Sequence, residues 1–372
     1  MTLEAEVLLA GPRGRGLLLH LLDDDEVRGL LIRADLSART GTHLLRMAYS
    51  SPEPRGPRRW VDRVQRKRER AAHLRDALTP VDPAELAEAI ANAPFPRLTD
   101  AALAEALART VDDAKPYQPA DHSEFVAADP QVIEALRPLA RHVMKSPFAG
   151  SWGPAAAEQW EVVKSGREAA PEDVMEPAAV LNFWHEAMVT AEDKARATSG
   201  GGGRWWSRPP HGLTSATSAW RGLGPVALFL EEDNFGIRHA AATPVEAPPE
   251  RTYEVTGAEA WAHLCHEYPL DVTHSQREMW REAIGFDGGW IVPDWRAMAA
   301  DWDAVHLQIS GYLEAATRPI LLREGVASVI AGWNPDETVW LTARPSVVGA
   351  PVSWRHHDQL GWRAAPLEEE RR

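Results

Sequence analysis

Residues 328–342 read Ser-Val-Ile-Ala-Gly-Trp-Asn-Pro-Asp-Glu-Thr-Val-Trp-Leu-Thr. Two short runs rich in β-branched residues, Ser328-Val329-Ile330 and Val339–Thr342, stand on either side of a Gly, Asn, Pro and Asp cluster. That pattern predicts short strands bounded by turns. Val226–Leu230 has the same bounded apolar character, and Val305–Tyr312 alternates well enough to be read as a strand. Helices are expected between these runs, at Gly257–Glu267 and around Asp294–Trp302. The back half of the chain therefore reads as α+β with a mainly antiparallel sheet.

The front half differs in texture. Asp82-Pro83 places an N-cap before a proline at the first helical position, and Thr99-Asp100 does similar work for the next segment. Asp129-Pro130 opens another helix through about Met144. Val7-Leu8-Leu9, Leu17–Leu22 and Leu30-Leu31-Ile32 fit short strands or short helices alike. Ser50–Pro57 is a breaker, and Arg58 to about Leu78 reads as a charged helix with Trp60 on its apolar edge. Residues 150–172 read as loop or short helix, and Pro177 opens a helix through about Arg196. Thr198–Gly203 is a glycine-rich hinge. The expected organisation is a mostly helical domain over 1–198, a Trp-rich α+β domain over 199–366 and a charged tail over 367–372.

The 54 acidic and 40 basic side chains give a net charge of −14. That balance argues against a whole-protein nucleic-acid binder or a binder of anionic membranes. Arg55–Arg75 is the exception, with nine Arg or Lys and two Asp or Glu. It reads either as a phosphate-binding face with Trp60 for stacking, or as a solvated helix whose arginines pair with the protein's own acidic surface or a partner subunit. Cys265 is the single cysteine, so no intrachain disulfide forms, which fits a reducing cytoplasm. Glu4 and Glu6 replace the basic start of a secretion signal, and the longest apolar runs are far too short to span a bilayer. A cytoplasmic protein without membrane association is expected.

Fifteen of the sixteen tryptophans follow residue 150, many beside polar residues in turn-rich motifs. Tryptophan fills cores, and it also lines pockets where flat ligands stack. A back-half pocket would draw its ligand-binding walls from Arg204, Trp205, Trp206, Trp295 and Tyr312. Glu337 and His306 are the candidate catalytic groups, although His306 also fits a core histidine satisfied by Asp303. No G-x-S-x-G, P-loop or G-x-G-x-x-G motif is present. His263, Cys265 and His266, with Asp271 and His274 nearby, lack the spaced one-face geometry of a zinc or iron site, so no metal is expected.

Asp294-Trp295, Asp303–Leu307, Gly311-Tyr312-Leu313 and Gly332–Leu341 together resemble a motif series in uncharacterised, tryptophan-rich bacterial proteins of the actinomycete type. Arg204–Pro209, Leu223–Glu232, Pro269–Thr273 and the opening Leu9–Arg15 share that resemblance, which implies no particular activity. A separate likeness concerns Arg204, the Leu213-Thr214-Ser215-Ala216-Thr217-Ser218 run and Glu337. In that order they resemble the Arg, Ser-Thr-Ser and Glu of ADP-ribosyltransferases, with Asp336-Glu337 in place of Glu-x-Glu or Gln-x-Glu. That likeness implies NAD as cofactor, Arg204 as anion holder and Glu337 as the carboxylate facing an oxocarbenium-like ribose. Three functions follow as expectations: binding of a small planar ligand or protein partner, consumption of NAD, and nucleic-acid association through Arg55–Arg75.

Overall fold

The computed structural model describes residues 5–38, 80–164, 175–198, 204–233, 236–246, 251–342, 344–357 and 361–365. The Arg55–Arg75 segment, the 199–203 hinge and the 367–372 tail lie outside these residues. The fold is α+β, with a helical N-terminal half and a sheet-rich C-terminal half. Among the described residues no helix is long and apolar enough to cross a membrane.

In chain order the helices of the front half are α1 (Glu6–Ala10), α2 (Pro12–Leu21), α3 (Asp25–Ala38), α4 (Pro83–Asn92), α5 (Asp100–Asp112), α6 (His122–Val126) and α7 (Pro130–Met144). The two predicted caps form. The Asp82 side chain accepts from the Ala84 amide and the Thr99 hydroxyl from the Ala102 amide, each satisfying a donor that the first helical turn leaves open.

The chain divides into two compact units, the smaller comprising residues 22–96 and 120–139. Its described part is helical, with Val27, Leu30, Leu86, Ile90, Val132 and Leu136 buried. Arg33 pairs with Glu85, and the Asp35 carboxylate accepts from the Ser123 amide at 2.7 Å.

The larger unit takes residues 1–21, 97–119 and 140–372. Its strands begin with β1 (Glu158–Lys164), in a stretch expected to be loop or short helix. Antiparallel pairing of Glu158–Lys164 with residues 240–246 makes it a strand, a long-range contact that its sequence does not announce. The helix predicted from Pro177 follows as α8 (Pro177–Thr198), burying Val180, Leu181, Trp184, Met188, Glu192 and Ala195 along one stripe. Then come β2 (Ser215–Thr217), β3 (Ala219–Trp220), β4 (Gly224–Pro225), β5 (His239–Glu246), β6 (Thr252–Val255), α9 (Ala258–Glu267), β7 (Pro269–Asp271), α10 (Thr273–Ile284), β8 (Gly289–Pro293), α11 (Trp295–Met298), β9 (Ala304–Leu307), α12 (Ile309–Ala315), β10 (Ile320–Arg323), β11 (Val326–Ser328), β12 (Glu337–Trp340), β13 (Ser346–Val347), β14 (Val352–His357) and β15 (Gly361–Ala365).

The main sheet runs β15-β14-β5-β1-β2-β12-β9-β6, with β13 also on β5; a second sheet runs β10-β11-β8-β7. Pairing is antiparallel except for β6 with β9 and β8 with β11. Two strand expectations are corrected. Val226–Leu228 is a 3-10 turn after Pro225, where the chain must bend out of the β3–β4 hairpin. Val305–Tyr312 splits into β9 and α12, because all four β9 side chains are buried and Gln308 then opens a helix.

Among the described residues seven tryptophans are fully buried: Trp152, Trp261, Trp280, Trp290, Trp295, Trp333 and Trp340. Trp261, Trp295 and Trp333 form one cluster with ring centroids 5.9 to 6.1 Å apart, tilted or edge-on as aromatic quadrupoles prefer. The Trp261 indole donates to Ser328 Oγ at 2.8 Å. The same hydroxyl meets the buried Cys265 thiol, whose pKa burial pushes up to about 12. His263 and His266 are exposed on α9.

Candidate functional site

The segment 204–211 leaves α8 and lies against the 331–332 turn. The Ser207 amide donates to the Ala331 carbonyl at 2.9 Å, fixing the segment's register. Gly332 sits at φ +66°, and a Cβ there would lie 2.6 Å from Trp206 Cβ, so only glycine admits the indoles this close. Trp205 and Trp206 are half-buried and meet edge to face at 5.5 Å. Tyr117, just beyond α5, joins them with its ring 5.2 Å from Trp205 and its hydroxyl on Asp233.

Beside Asp233 in the chain stand two neighbouring glutamates with opposite fates. Glu231 is buried in a 2.6 Å ion pair with Lys164. The Glu232 carboxyl instead accepts from the Tyr312 hydroxyl at 2.8 Å, while its backbone amide donates to the Asn334 side chain. Glu232 Oε2 is shielded from solvent without a hydrogen bond of good geometry. Burial pushes this carboxyl up to about 7; the Tyr312 hydroxyl, the Arg13 guanidinium and the Gly332 amide pull against that rise. A carboxyl that titrates near neutrality beside half-buried rings is a group able to exchange a proton with a ligand.

A second polar cluster lies along β9 and β12. His306 is fully buried, with Nδ1 2.7 Å from Glu254 Oε2 and Nε2 3.6 Å from Asp336 Oδ1, an ion-pair distance rather than a hydrogen bond. Burial lowers the imidazole's pKa, but the two carboxylates outweigh it and lift the value to about 9. Glu254 also accepts from Gln308 at 3.0 Å. Asp336, in the left-handed region at φ +64°, accepts from the Thr217 hydroxyl and from the amide and hydroxyl of Ser218 at 2.7 to 2.8 Å. Centred on the buried His306 and Asp336, this network ties β6, β9, β12 and the end of β2 together. The expected Asp303 partner of His306 turns instead to Arg251 and Thr342.

Glu337 pairs with Thr217 in register across β12 and β2. Its Oε1 accepts from Arg208 Nη2 at 2.8 Å, and Arg208 also meets His211, whose ring lies 6.0 Å from Trp206. Arg204 donates to Met188 Sδ at 3.2 Å. Of the residues singled out in the sequence, Tyr312 bonds Glu232 and Trp205 and Trp206 lie against Gly332, whereas Trp295 stands in the buried tryptophan cluster. Tyr117, Arg208 and Glu232 escaped sequence reading. The Glu231-Glu232-Asp233 run after an apolar stretch is the one signal that marks Glu232, and it reads equally as an exposed acidic turn; nothing local marks Tyr117 or Arg208.

Comparison with protein-family models, with curated proteins and with solved structures gave no match to this chain.

Proposed function

We propose that the protein binds a small planar ligand against Tyr117, Trp205 and Trp206, with the Glu232 carboxyl reading the ligand's hydrogen-bonding edge. The observation that carries this reading is the enclosed Glu232 carboxyl, held by the Tyr312 hydroxyl and the Gly332 amide, where Gly332 itself lies against Trp205 and Trp206. Stacking supplies affinity without sequence of charge, and one placed polar group supplies orientation, which is the usual division of labour in small-molecule sites. Because the carboxyl titrates at about 7, a ligand presenting N–H donors binds more tightly as pH rises from 6 to 8. The test is titration of the full chain with nucleosides, nicotinamide and related heterocycles, followed by tryptophan fluorescence and calorimetry at both pH values. Binding whose pH dependence vanishes in Glu232→Gln supports the proposal. Binding that is indifferent both to pH and to this substitution refutes it.

The NAD-consuming alternative draws support from the register Glu337↔Thr217, which sets a carboxylate beside the Ser/Thr run. Arg208 occupies that carboxylate, so the salt bridge must open before Glu337 can face a ribose. Nicotinamide release from NAD that disappears in Glu337→Ala would favour this reading over simple binding.

A further inference from the structure

A cleft of about 410 Å³ opens elsewhere on the larger unit, lined by Arg251, Tyr253, His263, Leu264, Glu267, Tyr268, Asp301 and Trp302. It belongs to none of the clusters described above. We propose that this cleft binds a small organic cation, a quaternary ammonium or guanidinium head, held by its aromatic walls.

Three of the lining side chains are aromatic. Tyr253 and Trp302 meet at right angles with centroids 5.1 Å apart, so that two walls of a corner are set by their own packing. The Tyr253 hydroxyl donates to the Ala260 carbonyl and the Tyr268 hydroxyl to Asp301, which fixes both rings from their outer ends. Such a corner presents the negative faces of π systems to whatever enters, and cations are its natural guests. Both phenols are pushed above their ordinary range, first by burial, so they stay neutral donors at any physiological pH.

The charges around the rim agree. Glu267 and Asp301 are exposed carboxylates on the lining. Arg251 directs its guanidinium at Asp303 through two hydrogen bonds of 3.1 Å, so its charge is answered by a carboxylate of its own. His263 is exposed on the same wall. The protein's net charge of −14 draws cations toward its surface in general. The volume falls within the range of small-ligand sites.

The test uses the full chain and calorimetric titration with choline, with its uncharged isostere 3,3-dimethylbutanol, with agmatine, and with a trimethyllysine-containing peptide. The cation is expected to bind at least about tenfold more tightly than the isostere, the ratio that a desolvated cation–π contact of about 1–2 kcal/mol supplies. Choline or agmatine binding identifies a free small organic cation as the ligand class, and binding of the peptide alone identifies a modified side chain. Trp302→Leu should abolish the preference. Because Trp302 also packs on Tyr253, the exposed Asp301→Asn serves as the second variant, expected to weaken the cation several-fold and leave the isostere unchanged. Equal binding of cation and isostere, or no binding of any cation at millimolar concentration, overturns the proposal.

Discussion

Replacing Glu232 by glutamine isolates what the buried carboxyl contributes. Its value rises from 4.5 to about 7 on folding, so the folded state favours the protonated form. The corresponding stability is complete below pH 4.5 and is lost as pH climbs through 7. At 1.36 kcal/mol for each tenfold change in proton affinity, the loss reaches about 3 kcal/mol at pH 8 and is under about 1 kcal/mol at pH 5. Glutamine keeps the shape and an oxygen that accepts from Tyr312, but never ionises. Urea unfolding followed by tryptophan fluorescence at both pH values reads the difference as a shift of midpoint at constant slope. The variant should match the wild type within about 1 kcal/mol at pH 5 and exceed it by about 3 kcal/mol at pH 8. A variant no more stable than wild type at pH 8 would show that ionising Glu232 costs nothing, and the reasoning about its enclosure would fail with it.

His306 titrates in the opposite sense of charge. Raised from 6.5 to about 9, it contributes stability that is complete below pH 6.5 and lost as pH passes 9, about 3 kcal/mol in all. Unfolding midpoints between pH 7 and 10 should therefore fall in the wild type and stay flatter in His306→Gln. Arg208→Met leaves the Glu337 carboxylate largely buried without its cation, at an expected cost of about 3 kcal/mol, and adding Glu337→Gln should recover most of it. Trp261→Phe removes a hydrogen bond to Ser328, whereas the Trp295 indole N–H is buried without a partner, so thermal unfolding should show Trp261→Phe costing about 1 kcal/mol more than Trp295→Phe.

What could be read from the sequence followed from how local the cause is. The caps at Asp82 and Thr99 and the 22-residue helix from Pro177 depend on neighbours a turn away, and they form where the spacing puts them. Val226–Leu228 and Ile309–Ala315 depend on packing by distant segments, and tertiary contacts override their strand-like composition. The same limit governs the site. Trp205 and Trp206 announce themselves as a pair, but Glu232 acquires its character from Tyr312, 80 residues on, and from enclosure that no spacing encodes. Glu254 sits in an ordinary strand sequence, and only the parallel pairing of β6 with β9 sets it opposite His306.

Gly11 carries a consequence for how the molecule is made. A Cβ on Gly11 would lie 2.3 Å from the Glu314 carbonyl oxygen, so the turn between α1 and α2 is fitted to α12 at backbone contact. Residues 6–21 leave the ribosome about 290 residues before α12, a wait of roughly 15 to 60 s at ordinary elongation rates. Through that interval α2 has α5 to pack against, but α1 and α2, which carry the buried Leu8, Leu9, Leu17 and Leu18, lack the α12 part of their surface. Folding of the larger unit is thus closed by a contact between the early and late parts of the chain, and nascent-chain proteolysis should cut α1 and α2 until residue 315 has emerged.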